Sequence, residues 1–344
     1  MNKRIYASFI ALVIIMGTVA GTVVSRAATL TPAPLSTEAN DPLVMLPASD
    51  AVAILDIKRL LAEAMPRALE GNPARLAEAN AEIDRFKTRT GIDLRSFDRI
   101  AAGFRFEDSA SAAKEERTVA IAHGTFNSGA IVAAGRLAAK GKYKEEKYEG
   151  KTIYTFTLEQ QVKLFGVMNL RVAELAVSEL DGSTLAMGDP AGVRAAIDAG
   201  SGRGARVNSE LVALATRNPN AMIGFGANLP PNAAASLNID NAELTKNIAS
   251  IRQVYGSIGT TPAGFDMLTV ARTETADQAK NLSDTIAFLK QAAGMLASHV
   301  SKDSSKGKLL ENALGSMKVT TNGNEVQVRL ELAQIDIATL VRGL

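Results

Sequence analysis

The sequence predicts an α+β protein in which antiparallel sheets pack helices on one face. Three observations lead there. Short apolar, β-branched runs recur along the chain, as in 52–57 (VAILDI) and 152–157 (TIYTFT), and runs of that length bounded by turn residues read as strands. Turn signals at Asp181-Gly182, 262–264 and Asn322-Gly323 join neighbouring runs, and strands joined so tightly must pair antiparallel. Helical patterns separate the strand pairs. The longest, from Glu274 to about Ser298, carries a stripe of Ala279, Leu282, Ile286, Leu289, Ala293 and Leu296 at alternating spacings of three and four, the mark of a helix lying on a sheet.

In order, the first half reads as follows. Strand 52–57 is followed by a helical stretch 58–70 broken at Pro66. A second helix, 73–90, opens with proline at its first position and closes before Gly91. Strands 99–106 and 118–123 flank a polar loop, and 128–139 is a short helix. Strands 152–157 and 174–189 follow, the latter folded at Asp181-Gly182. Asp189-Pro190 then caps a helix ending at Gly200. The second half repeats the order: strand 221–226, helix 233–248, strand pair 251–258 and 265–272, the long helix, strands 317–321 and 325–332, and a closing helix 335–341. Each half is thus a β-α-β-β-α-β-β-α unit, which predicts an internal duplication at the level of pattern, with little identity between the halves. The expected boundaries are a leader at 1–28, a linker at 29–43, and repeats at 44–204 and 205–344, with the seam in the glycine-rich stretch 200–208 (GSGRGARVN).

The leader has the strongest functional meaning. Residues 5–24 form an uncharged, mostly apolar run preceded by Lys3 and Arg4. At about 1.5 Å per residue it matches a hydrocarbon core of roughly 30 Å, and the basic residues ahead of it orient the remainder outward. Ser25-Arg26-Ala27 offers a cleavage site near Ala27, so a cleaved signal peptide and a retained membrane anchor both stay open. Either way the chain is expected to be exported: anchored in the cytoplasmic membrane facing outward, or periplasmic or secreted after cleavage. The linker holds three prolines among small polar residues and reads as an extended spacer.

Composition excludes several chemistries. The absence of cysteine removes disulfides, thiolate metal sites, thiol nucleophiles and a lipid-modified N-terminus. Net charge is +2, too balanced for a nucleic-acid partner. The densest charge run, 140–151 (KGKYKEEKYEGK), reads as a solvated turn leading into a strand, with a phosphate or lipid-headgroup contact as the alternative.

No motif in the sequence marks a reaction centre. His123 sits in a strand and His299 ends the long helix; core and capping roles suit them better than catalysis. Gly150-Lys151-Thr152 has the tail of a phosphate-binding loop, but Glu145 occupies the leading glycine position. Gly200, Gly202 and Gly204 follow a helix rather than a strand. Ser305 with Lys308, and 236–238 (SLN), match two motifs of penicillin-interacting enzymes in reversed order, and Ser305 falls in what reads as a flexible polar loop. Glu107, Asp108, Glu115 and Glu116 are adjacent acids on a loop, without the separation glycosidase carboxyls need. No metal or cofactor is implied.

One segment lacks a counterpart in the second half. Residues 158–172 (LEQQVKLFGVMNLRV) are strand-like and interrupted at Gly166. They read either as an extra hairpin completing the sheet or as an apolar flap over a ligand or partner, in which case Val162, Leu164, Phe165, Val167 and Leu170 are the contact residues.

The stretch 46–57 (LPASDAVAILDI), followed by a helix, by 90–93 (TGID) and by 97–100 (FDRI), resembles uncharacterised bacterial exported proteins with a domain of unknown function. That resemblance implies export and carries no assigned activity. Three functions remain open on the sequence: a non-enzymatic envelope protein binding a protein partner or an apolar ligand, an envelope hydrolase with a site dispersed in sequence, and an assembly scaffold.

Overall fold

The structure is a computed structural model that describes residues 41–106, 117–157, 162–164, 168–170, 174–230, 241–300 and 305–334. It is an α+β protein whose described strands are antiparallel. The described residues form two compact units, one of 41–62 with 74–213 and the other of 63–73 with 214–334.

The first unit begins with β1 (Ala51–Asp56). The Asp56 carboxylate accepts the Arg59 N–H and caps α1 (Ile57–Arg59). The chain then widens into a π-helical turn, Leu60–Ala64, before α2 (Met65–Ala68). The predicted break at Pro66 is therefore a widening one turn earlier. A proline ring collides with the carbonyl four residues back, and a π turn opens that spacing. Helix α3 (Pro73–Thr90) has the predicted bounds. Strands β2 (Phe97–Arg105) and β3 (Arg117–Gly124) form the expected pair, Ile100 facing Ala122; their polar loop lies outside the described residues. Then come α4 (Ser128–Ala138), β4 (Tyr143–Tyr148), β5 (Lys151–Thr157), a short hairpin of β6 (Val162–Leu164) and β7 (Met168–Leu170), then β8 (Glu174–Asp181), β9 (Thr184–Gly188) and α5 (Pro190–Gly200). The strand order is β1-β2-β3-β9-β8-β5-β4.

Strand β4 corrects the reading of 140–151. It is an edge strand, paired along its length with β5 from Tyr143↔Phe156 to Tyr148↔Lys151. Glu149 and Gly150 both take positive φ (50° and 76°) in the tight turn between them. Gly150-Lys151-Thr152 is thus a hairpin corner entering a strand, not a phosphate loop.

Alternation along β5 and β8 separates two faces. Tyr154, Phe156, Leu175 and Val177 share a core with Ile131 and Val132 of α4. Ile153, Ala176, Ser178 and Ala186 lie on the other face, each at most 1% exposed, beneath α5 and its buried Val193, Ala196 and Ile197. Helices therefore cover both faces here. The Ser178 hydroxyl has no hydrogen-bond partner. A buried, unsatisfied hydroxyl costs free energy, so Ser178→Ala is expected to stabilise the protein by about 1 kcal/mol, read as a higher urea midpoint; a lower midpoint would show that the hydroxyl is bonded in solution.

The chain enters the second unit for 63–73, which includes α2, returns to the first, and crosses again within α6 (Ser209–Ala215), which the sequence pattern did not signal. The second unit carries β10 (Ile223–Asn228), α7 (Ala242–Ala249), β11 (Ile251–Thr261), β12 (Gly264–Thr273), α8 (Ala276–Val300), α9 (Ser305–Ser316), β13 (Lys318–Asn322) and β14 (Glu325–Ala333). Strand order is β10-β11-β12-β14-β13. In both units a three-strand meander is extended by a later hairpin whose second strand pairs with the meander. Asn322↔Glu325 closes the predicted hairpin. Ser305, read as part of a polar loop, starts α9 instead. The predicted helix 233–248 is realised over Ala242–Ala249; 231–240 and the closing helix 335–341 lie outside the described residues.

Helix α8 covers its sheet only in part. Ala279 and Leu282 are buried against Val326, with Ile286, Ile251, Ala271 and Val319 packed around them. Leu289, the next residue of the predicted stripe, is 44% exposed. Beyond it the helix runs along α9, and Lys290 Nζ donates to the Met317 carbonyl at 2.6 Å.

Candidate functional site

The cavity of interest runs along α4 in the first unit. Its volume is about 460 Å³, and its apolar wall is Val132 and Ala133 of α4, Val177 of β8 and Leu185 of β9. That size falls in the range of small-molecule pockets. Tyr154 and Arg136 form one side, and Lys151 and Glu179 stand at the end nearest the β4–β5 turn. Helix α4 approaches the sheet closely at Gly135, where an added Cβ would fall 2.5 Å from the Phe156 ring, and the cleft opens beside that contact. The helix sequence, SGAIVAAGRLA, is largely apolar, and none of its residues is fully buried. Asn127 starts the helix by accepting the Ala130 N–H at 3.0 Å. Leu137, at its far end, is 72% exposed.

The charges around the cleft are engaged. The Arg136 guanidinium pairs with Glu145 and lies 4.9 Å from the Tyr143 ring and 5.5 Å from the Tyr154 ring, cation–π distances. Lys151 Nζ donates to the Leu180 carbonyl at 2.5 Å. On the opposite face of β4, Arg194 of α5 forms a bidentate pair with Glu146 (3.2 and 2.5 Å), which lowers the Glu146 pKa and raises that of Arg194. Tyr148 donates to Asp198 at 2.9 Å, which holds its hydroxyl proton on more tightly. Arg203 meets Glu149 at 2.7 Å. The charge run read as solvated is thus paired from both faces of the sheet.

The second unit holds a buried polar network. Glu325 Oε1 accepts from Tyr255 Oη at 2.9 Å and from Arg272 Nη2 and Nε at 2.9 and 3.1 Å. Arg217 donates to the Tyr255 hydroxyl, and Arg272 also bonds Gln253. Both arginines lie over the Tyr255 ring, at 5.1 and 5.7 Å. Burial first, and then the bond to Glu325, pushes the Tyr255 pKa up to about 12 from 10. A raised tyrosine pKa means the folded state binds more protons than the unfolded one between those values. The stabilisation is complete below pH 10 and is lost as pH rises toward 12. Wild type should therefore lose on the order of 1–3 kcal/mol over that window. Tyr255→Phe should flatten this part of the curve in urea unfolding at stepped pH, and an equally steep curve in the variant would place the titration elsewhere.

The residues singled out from the sequence fall in different places. Val162 faces Leu170 across the β6–β7 hairpin, and Leu164 faces Met168. That hairpin forms its own two-stranded sheet instead of extending the large one. Phe165 and Val167 lie outside the described residues. The hairpin leaves β5 after Thr157 and returns at Glu174, whereas the cleft reaches along β5 from Lys151 to Tyr154. His123 Nδ1 is 3.4 Å from Asp98 Oδ2, and Lys58 Nζ of α1 is 2.6 Å from Asp98 Oδ1, so His123 sits beside a half-buried ion pair between β2 and α1. Among the described residues no cluster of three His, Asp or Glu side chains could hold a metal. Residues 107–116 and 236–238 lie outside the described residues. The cleft residues Val132, Arg136, Tyr154, Val177 and Leu185 were not foreseen; the only sequence signal was the apolar composition of α4.

No helix among the described residues is long and apolar enough to cross a membrane; the run 5–24 lies outside them. No family model matches the chain, and no curated protein matches it. Solved structures of TP0453 align with the chain. Crystal form III aligns at a TM-score of 0.47 with 9% identity, covering 88% of this chain and 98% of that one. Forms IV and I give TM-scores of 0.43 and 0.44 at 9% and 8% identity, again over 88% of this chain and 96% and 97% of theirs.

Proposed function

We propose that this chain is a non-enzymatic exported envelope protein that binds an apolar ligand in the cleft along α4. The observation that supports the reading is the cleft itself: about 460 Å³ beside an apolar helix with no buried residue, walled by Val132, Val177 and Leu185. Burying a ligand there would remove apolar surface of both wall and ligand from water, at about 25 cal/mol per Å². The neighbouring charges do not argue for a reaction centre, because Arg136 is paired with Glu145 and Lys151 is bonded to a carbonyl. Export rests on the run 5–24.

The test is a titration with N-phenyl-1-naphthylamine, an uncharged apolar fluorophore. Wild type should bind it in the micromolar range, and Ala133→Trp, which fills the cleft, should weaken binding at least tenfold with the unfolding midpoint unchanged. The second reading places the ligand or a protein partner on the β6–β7 hairpin, which stands apart as its own small sheet. Replacing 158–172 with a short glycine linker decides between them. Binding kept after that deletion and lost in Ala133→Trp supports the cleft; the reverse supports the hairpin; no binding by wild type removes the apolar-ligand reading.

A further inference from the structure

We propose that α4 is the movable wall of the cleft, a lid latched to the sheet through Arg136; this rests on the reading of that cleft as a ligand site. The comparison that carries it is with α5. Both helices have 11 residues and they lie on opposite faces of one sheet. Yet α5 buries Gly192, Val193, Ala196, Ile197 and Ala199, whereas no residue of α4 is buried. Apolar area removed from water holds a helix down, and segments with little of it open at the smallest free energy. Gly129 and Gly135 further lower the helix propensity of α4. The other walls cannot shift so readily. Strands β5, β8 and β9 are each paired on both sides, so moving one of them opens a ladder.

Two neighbouring residues pin the C-terminal half of the helix. Gly135 rests on the Phe156 ring, with no room between them for a side chain. Beside it, Arg136 pairs with Glu145 of β4 and lies over the rings of Tyr143 and Tyr154, at 4.9 and 5.5 Å. The ion pair is 43% and 44% exposed on its two sides, and such a pair alone holds weakly. Adding the two ring contacts gives a latch that closes the lid but lets go on the time scale of local opening. Arg136 also lines the cleft, so the side chain that releases the lid borders the space a ligand enters. A ligand that touches α4 and the sheet together favours the closed state, since it binds that state better than the open one.

Hydrogen exchange of the full chain measures the opening without a ligand. The hydrogen-bonded amides of α4 should be protected about tenfold less, or weaker still, than those of α5. Bound N-phenyl-1-naphthylamine should slow exchange in α4 and not in α5. Arg136→Met keeps the apolar stem and removes the latch. It should lower α4 protection roughly threefold and raise the association rate constant of the fluorophore by the same factor. Glu145→Gln should move both quantities in the same direction. Arg194→Met, which breaks the pair between α5 and Glu146, should leave α4 exchange as it is. Protection of α4 equal to that of α5 overturns the proposal. So does fast exchange in Arg136→Met with an unchanged association rate, the behaviour of a frayed helix that gates nothing; the cleft then stands without a lid. No binding of the fluorophore by wild type removes the cleft and the lid together.

Discussion

Glu325→Ala is expected to lower the unfolding free energy by about 3–5 kcal/mol. The side chain is nine-tenths buried and one of its oxygens takes three hydrogen bonds, one from Tyr255 and two from Arg272. Truncation leaves the hydroxyl of Tyr255, a residue 2% exposed, and the Arg272 guanidinium without the carboxylate that compensates their desolvation. The cost is that of stranding the partners, which is larger than the net worth of the pair. Glu325→Gln keeps an acceptor but no charge, so it should cost less, about 1–3 kcal/mol. Urea unfolding at pH 7 measures both. A loss below about 1 kcal/mol in the alanine variant would mean that water enters and solvates the arginines.

Gly256→Ala should be comparably damaging for a steric reason. Gly256 lies in β11 opposite Thr269, with Phe225 on its other side. A Cβ there would fall 2.0 Å from the Leu268 carbonyl oxygen and 2.6 Å from the Phe225 ring. The ring can turn, but the oxygen belongs to the neighbouring strand and moves only if the ladder opens. A loss of about 3 kcal/mol is expected, seen as a fall of roughly 6–12 °C in Tm. Gly323→Ala provides the contrast. That turn glycine has φ of 58° but no atom within 4 Å of the added carbon, so only backbone strain of about 1 kcal/mol opposes the change. Equal Tm values for the two variants would contradict the close approach at Gly256.

Much of the fold was legible because local chemistry and tertiary structure agree. Asp181-Gly182 and Asn322-Gly323 turn hairpins, Pro73 opens α3, and Asp189 caps α5 through the Gly192 N–H at 2.6 Å. Strand β4 was not legible, since YKEEKY offers no apolar face to either side. Its strand character comes from pairing with β5 and from Arg136 and Arg194, which lie far from it in sequence or on another helix. Helix α9 starts in Ser-Lys-Gly-Lys, a run that resembles a loop. The first turns of the stripe on α8 form the seam, yet periodicity cannot tell how deeply each residue of a stripe is covered, and Leu289 is left 44% exposed. The cleft eluded the sequence for a related reason. Its wall comes from α4, β5, β8 and β9, and no local pattern records how closely a helix settles on a sheet. The run 158–172 drew attention because apolar residues cluster there in sequence, a different property from convergence in space.

The clamped β4 has a consequence for the protein in concentrated solution. A sheet's outermost strand offers unpaired amides and carbonyls to any passing chain, and lysine and glutamate along it discourage the offer from being taken up. With Lys144, Glu145, Glu146 and Lys147 in succession, two of them fixed by arginines, β4 is poorly suited to templating another strand. The outermost strand of the second unit's order, β13, reads KVTTN with a single charge. Edge-to-edge growth of this protein into fibres would start there.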